Sequence, residues 1–276
     1  MQTGPNDIYE LPAALAFSRQ APVFDSIYKE DPVTLYKRKR VRDHISPYLA
    51  PSSSILELNC GTGEDAIWLA RQGHQVHATD ISTAMLKKLG EKIEESGLED
   101  KIHTEACSFS SLENLTNRNQ YDFIFSNFAG LNCTPHLKNV LHSLPSLVKP
   151  GGLVTLVLMP GFCLWEFLLL FKGRFKTAFR RFSGKKGTRA NVEGQAFRCW
   201  YYSPSYLKKQ MKDFFDQVAI EGLCSLVPPS YMAGFPDKHP ALYRSLLKKE
   251  KRWKCKWPWR NIGDYFIITF RKKADQ

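Results

Sequence analysis

Residues 55–63 read Ile-Leu-Glu-Leu-Asn-Cys-Gly-Thr-Gly, a short apolar strand running straight into a glycine turn. Asp80 closes a second apolar strand, Val-His-Ala-Thr at 76–79, seventeen positions after Gly63. Gly61 and Gly63 lack Cβ, so the backbone there can take positive φ and let a bulky ligand approach the chain. An acidic side chain at the carboxyl end of the second strand is placed to accept hydrogen bonds from a ribose hydroxyl pair. The spacing therefore predicts a parallel α/β sheet with a nucleotide-like cofactor at the ends of its first two strands.

The rest of the first half keeps that rhythm. Residues 64–72 form a helix ending at Gly73, and Ser82 caps a second one with apolar positions Met85, Leu86, Leu89 and Ile93, stopped by Gly97. Strands follow at 101–106, 121–126 and 153–159, the last fed by the tight turn Lys149-Pro150-Gly151-Gly152. A helix over 137–148 is interrupted or ended early near Pro145. Strands and helices alternating at these intervals predict a sheet with helices on both faces. Further on, 197–202, 218–226 and 263–270 read as strands, and Ser203-Pro204-Ser205 starts a helix.

Composition bounds the function. Hydrophobic residues at 43% and aromatics at 13% suit a packed globular chain. Seven cysteines without a Cys-x-x-Cys pair fit reduced thiols in a cytoplasm, with neither a disulfide framework nor a metal. The start of the sequence lacks a secretion signal pattern. The net charge of +12 is uneven: up to Pro150 there are 15 Lys and Arg against 18 Asp and Glu, and beyond it 24 against 9. The excess collects at 172–189 and 244–260, a field that attracts nucleic acid, anionic lipid or an acidic substrate when it is not simply a solvated face.

After the fifth strand the rhythm breaks. Phe171, Phe175, Phe179 and Phe182 fall on one helical face beside Lys172, Arg174, Lys176, Arg180 and Arg181. The favoured reading is an insertion that packs this aromatic stripe on the domain; an amphipathic lid or membrane-surface helix is the alternative. The uncharged run is too short to span a bilayer and contains Glu166. Four segments are expected: N-terminal cap helices (1–50), a cofactor-binding core (51–160), the aromatic and basic insertion (161–195), and a C-terminal completion of the sheet (196–276).

Taken alone, Gly61-x-Gly63-x-x-Ala66 also satisfies a dinucleotide fingerprint, which keeps NAD as an alternative. Three stretches together decide against it: 55–82, Tyr-Asp-Phe-Ile-Phe-Ser-Asn-Phe at 121–128, and Leu-Val-Lys-Pro-Gly-Gly-Leu at 147–153. In combination they resemble class I S-adenosylmethionine-dependent methyltransferases over about residues 50 to 160. The resemblance implies a Rossmann-like sheet carrying a helical insertion after strand five, with S-adenosylmethionine as cofactor. It implies roles too: Glu57 at the glycine loop and methionine end, Gly61 and Gly63 admitting the cofactor, Asp80 on the ribose, Ile81 beside the adenine, and Met85 as a further cofactor contact. Ser108 and Phe109 fall where the family carries an acidic residue and its neighbour, and Asn59 replaces the usual first glycine. Asn127 would lie near the transferred methyl. The segment 24–40 resembles the family's covering helix, with Tyr28 and Arg40 as contacts to the methionine carboxylate.

The acceptor is read less directly. The Asn-Pro-Pro-Tyr signature of nucleic-acid methyltransferases is replaced by Ser126-Asn127-Phe128-Ala129, which disfavours nucleic acid despite the charge. Phe128, Asn132, Trp165, Trp200 and Tyr201 are the candidate acceptor wall, suited to a small apolar or aromatic metabolite. Peripheral membrane contact stays open, as does the oligomeric state. Of the histidines, His44, His136, His142 and His239 are candidate bases by residue type only, and none is assigned.

Overall fold

The computed structural model describes residues 9–232 and 234–274. In chain order the helices are α1 (Leu11–Tyr28), α2 (Pro32–Ile45), α3 (Glu64–Arg71), α4 (Thr83–Ser96), α5 (Leu137–Ser143), α6 (Leu164–Leu168), α7 (Phe175–Phe179), α8 (Pro204–Met211), α9 (Phe235–Lys238) and α10 (Pro240–Trp253). The strands are β1 (Ser54–Leu58), β2 (Gln75–Asp80), β3 (Ile102–Ala106), β4 (Tyr121–Ser126), β5 (Val148–Leu158), β6 (Thr188–Val192), β7 (Gln195–Cys199), β8 (Phe215–Leu223) and β9 (Tyr265–Lys272).

Seven strands form one sheet in the order β3-β2-β1-β4-β5-β9-β8, and β6 pairs with β7 as a separate antiparallel hairpin. The pairs among β1 to β5 are parallel, while β9 runs antiparallel to both β5 and β8. The sheet is covered on both faces. Ile55, Val76, Phe123 and Ile267 pack toward α3 and α4, whereas Leu56, Ile124, Leu156 and Ile268 pack toward α5 and α8. Burial on both sides explains why β1 and β4 read as near-continuous apolar runs. Strand order reverses between β1 and β4, and in open α/β sheets ligands bind outside the carboxyl ends of the strands at such a point.

The helix after β4 ends early, at Ser143, as the sequence predicts near Pro145, which lies in a 3-10 turn at 144–146 because proline has no N–H to continue the ladder. Two expectations need correction. The turn at 149–152 is drawn into β5, which starts at Val148; the register shifts between Tyr121 and Phe123, with Gly151 at φ 73°. The insertion is not one amphipathic helix: Gly173 at φ 69° separates α6 and its 3-10 extension from α7. Its aromatic stripe is not packed inward either, since Phe171, Phe175, Phe179 and Phe182 are 85, 62, 51 and 56% exposed. The hairpin β6–β7 and the long helix α10 were not foreseen.

Candidate cofactor cleft

Beyond Leu58 the chain turns sharply: Asn59, Gly61 and Gly63 all have positive φ, at 49°, 56° and 77°. Asparagine adopts this conformation more readily than most residues, and here its side chain is pinned as well. It accepts from Ser126 Oγ (2.7 Å) and donates to the carbonyl of Asn127 (3.0 Å), so the glycine turn is tied to the end of β4. The two glycines do different work. A Cβ on Gly61 would project into open space, while one on Gly63 would lie 2.1 Å from Leu89 Cδ1. Gly61 keeps the cleft clear; Gly63 lets α3 and α4 approach each other.

Asp80 braces the turn from β2. Its carboxylate accepts from the N–H of Gly61 (2.9 Å) and from the N–H of Ser82 (2.8 Å). Burial raises its pKa, and these two backbone donors only partly offset that. At the end of β4, Phe128 and Ala129 sit in succession at φ 47° and 64°, a strained pair of non-glycine residues of the kind that clusters at ligand sites. Asn127 holds them by accepting from the N–H of Phe128 (2.8 Å) and donating to Asp65 Oδ2 (2.6 Å). Asp65 in turn accepts from Arg42 Nε (3.0 Å).

These elements surround a cleft of about 880 Å³ of empty space open to solvent. Helix α1 forms its roof through Ala13, Ala14, Phe17 and Phe24, and polar contacts fasten that roof: Ser18 to Ser82 (2.7 Å), Thr62 to Asp25 (2.7 Å) and Lys92 to Asp25 (2.7 Å). Of the residues singled out in the sequence, Glu57, Asn59, Gly61, Asp80, Ile81, Met85, Phe109, Asn127 and Phe128 line the cleft.

Others lie elsewhere. Arg40 turns away, donating to Glu221 (2.7 Å), Tyr36 (2.7 Å) and Glu250 (3.3 Å); Arg38, two residues earlier, borders the cleft. Tyr28 packs on Phe24 with ring centroids 4.8 Å apart, outside the lining. Asn132 is fully buried and spent on the backbone of Met159 and Trp200. Trp165 packs on Phe235, Trp200 is buried against Tyr9, and Tyr201 lies under Arg181, so of the candidate acceptor wall only Phe128 reaches the cleft. None of the four candidate histidines lines it.

Ser108 borders a neighbouring groove under α1 and donates to Glu10 Oε2 (2.7 Å), while Ser110 donates to the other oxygen. Glu10 is 1% exposed and lines the cleft itself. A carboxylate is thus present beside the position where the resemblance led us to expect one, but it arrives from α1. Asp65, Arg38, Thr62 and Glu10 were all missed. Asp65, two residues after Gly63 in the first turn of α3, carried a signal, whereas Glu10 is joined to Ser108 only by folding across 98 positions.

Glu57 is the sharpest chemical feature. Its side chain is 3% exposed and Oε2 is buried with no hydrogen-bond partner among the described residues. Burial first, then the nearby charge of Asp65, pushes its pKa well above the usual carboxylate range, with Arg42 pulling the other way. A buried, unpartnered acceptor facing a cleft is built for a cationic or hydrogen-bonding guest.

An open sheet with its cleft at the strand-order reversal, a glycine turn and an acidic strand end defines a doubly wound cofactor-binding protein. Residues 55–152 match the family model of a methyltransferase domain. Over 113 residues the chain is 26% identical to the ribosomal RNA small subunit methyltransferase C of Alcanivorax borkumensis, a match covering 40% of this chain and 33% of that protein. The chain thus spans about a third of the length of that curated relative. Among solved structures, the [4+2]-cyclase SpnF superposes with a TM-score of 0.63 at 15% identity, over 95% of this chain and 96% of that one. The 1,6-didemethyltoxoflavin-N1-methyltransferase of Burkholderia thailandensis, with its acceptor and S-adenosylhomocysteine bound, gives 0.57 at 14% identity over 99% and 93%. Residues 55–152 thus match the methyltransferase-domain family, and the chain shares its fold with solved S-adenosylmethionine-dependent methyltransferases.

Proposed function

We propose that the protein transfers the methyl group of S-adenosylmethionine to a small, apolar or aromatic acceptor bound beside Phe128. The observation that carries this reading is the cleft itself: orphaned Glu57 Oε2 at one end, the Asp80 carboxylate and the open face of Gly61 in the middle, and a wall of Phe17, Phe24, Phe109 and Phe128. These residues fit the cofactor. Glu57 would receive its ammonium group, Asp80 its ribose hydroxyls, and Ile81, Met85 and Phe109 its adenine, with Glu10 supplying the acceptor that Ser108 lacks. Arg38, whose Nε is buried without a partner among the described residues, supports the carboxylate end in place of Arg40. When bound, the sulfonium supplies an electrophilic methyl.

What the chain contributes is alignment and exclusion of water, which in-line displacement chiefly requires. The roof helix α1 covers the cofactor, and the strained Phe128–Ala129 backbone fixes the acceptor side. No histidine borders the cleft, so the acceptor is one that reacts without an imidazole base.

Calorimetry with S-adenosylmethionine against NAD, then mass spectrometry of an extract incubated with enzyme and labelled cofactor, tests the proposal. Binding of the methyl donor and a labelled small-molecule product are expected. Preferential NAD binding sinks it, and cofactor binding without any labelled product assigns the chain to a regulatory role. A second reading, methylation of RNA, draws on the ribosomal RNA methyltransferase relative and on the basic second half of the chain. Label recovered in RNA would favour it.

A further inference from the structure

The insertion between β5 and β6 exposes phenylalanine on purpose-built supports. Glu166, 1% exposed, receives Arg180 Nε (2.7 Å) and Arg181 Nε (2.9 Å), and Arg181 also reaches Asp264 Oδ1 (2.8 Å) and the carbonyl of Pro160 (3.2 Å). Leu169 and Ala178 are buried beside this network. The segment is therefore fixed to the body of the protein, and its phenylalanines point outward from a rigid base. Phe179 and Phe182 rest on one another (6.1 Å), and Phe182 rests on Phe162 (6.3 Å). Phe171 and Phe175 stand further out, with no ring or cation partner among the described residues.

The surrounding charge is of one sign. Lys172, Arg174 and Lys176 alternate with the two outer rings, are exposed, and have no ion-pair partner among the described residues. Between Glu166 and Glu193 the sequence has no acidic residue. Exposed apolar side chains contiguous with unpaired cations are the composition of an interfacial anchor: the rings enter the acyl boundary while the cations meet lipid phosphates.

We infer that residues 168–182 dock the protein on an anionic lipid bilayer, with Phe171 and Phe175 as the inserted side chains. A second copy of the chain fits this face poorly, because a two-fold contact would set Lys172, Arg174 and Lys176 against their own copies with no acid in the segment to pair them. RNA fits it less well than lipid. Aromatic platforms for bases offer one ring face while the other is supported by the protein, whereas Phe171 is 85% exposed.

Vesicle sedimentation with the full chain tests the inference, using phosphatidylcholine vesicles with and without phosphatidylserine. Three unpaired cations near an anionic surface raise binding roughly 100-fold over neutral vesicles, and added salt removes most of that gain. The double substitution Phe171→Ser/Phe175→Ser and the triple substitution Lys172→Ala/Arg174→Ala/Lys176→Ala each reduce sedimentation at least about tenfold. Both leave the melting temperature and S-adenosylmethionine affinity unchanged, because every altered side chain lies outside core and cleft. Equal sedimentation of wild type and the Phe171/Phe175 variant overturns the inference. So does retention of RNA without retention of vesicles, or a dimer in light scattering that the Phe171/Phe175 substitution dissolves. Loss of cofactor binding in the wild type would instead count against the proposed function alone.

Discussion

Replacing Glu57 by glutamine should make the protein more stable and its cofactor site worse. The carboxylate lies beside Asp65 with Oε2 buried and unpartnered, an arrangement that costs about 1–3 kcal/mol for a polar atom left unsatisfied. Glutamine keeps the shape and removes the charge, so E57Q should gain about 1–2 kcal/mol without ligand, or roughly 2–4 °C per kcal/mol in a chain of this size. A charge-assisted hydrogen bond to an ammonium is worth about 1.5–3 kcal/mol, so the same variant should bind S-adenosylmethionine some 10- to 100-fold more weakly. The sign with pH follows from the raised pKa. Folding favours protonated Glu57, so the wild-type benefit is complete below the ordinary carboxylate value and is lost as pH rises through the folded value. The variant lacks that slope, and its stability advantage should widen with pH. Thermal melts across a pH series, alongside calorimetric titrations, measure both effects. An E57Q protein that is less stable than wild type while binding the cofactor equally well would refute the reasoning.

The two glycines of the turn should separate in the same assays. Gly63→Ala meets Leu89 at 2.1 Å at a φ of 77° and should lose about 2–4 kcal/mol in urea denaturation, whereas Gly61→Ala carries only the backbone strain, about 1–2 kcal/mol, and should chiefly weaken cofactor binding. Glu10→Ala removes the acceptor of two serine hydroxyls and should destabilise by about 1–3 kcal/mol and weaken cofactor binding about tenfold, as read by denaturation and calorimetry. Glu221 predicts an acid transition. Burial opposes its ionisation, but the hydrogen bond from His44 and the charge of Arg40 outweigh burial and hold its pKa at about 2. That stability is present above the ordinary glutamate value and is lost as pH falls toward about 2, so melting curves of Glu221→Gln should begin lower at neutral pH and show a shallower acid slope.

The parallel half of the fold was legible because its signals are local. A glycine turn, a capping serine and runs buried on both faces state their structure within ten residues, and β1, β2, α4 and β4 fall within one or two residues of their expected bounds. The side-chain assignments on α2 were not local. In the run Lys-Arg-Lys-Arg at 37–40 every residue has the right chemistry, and the choice between Arg38 and Arg40 depends on Glu221 and Glu250, 181 and 210 positions beyond Arg40. The phenylalanine stripe misled for a related reason. Spacing reports which side chains share a face, but not whether the domain offers a surface to cover it, and here all four rings stay exposed. Asn132 has the residue type of an acceptor contact but is spent on the carbonyls of Met159 and Trp200, while Trp165 and Trp200 pack on other rings, which residue type after a strand end does not reveal.

Helix α2 has two working faces. Arg38 and Arg42 reach Glu64 and Asp65 at the start of α3, and Lys37, Arg40 and His44 reach Asp264, Glu221 and Glu250 around β8, β9 and α10. Both α2 and these C-terminal partners lie outside residues 55–152, the stretch shared with other methyltransferase domains. The shared core is thus clasped by a private part of the chain. Substitutions at Glu221, Glu250 or Asp264 should therefore be felt at the glycine turn, through α2 and its contacts to Glu64 and Asp65. Helix α2 is thus a strut that makes the position of the turn depend on residues more than a hundred and fifty positions away.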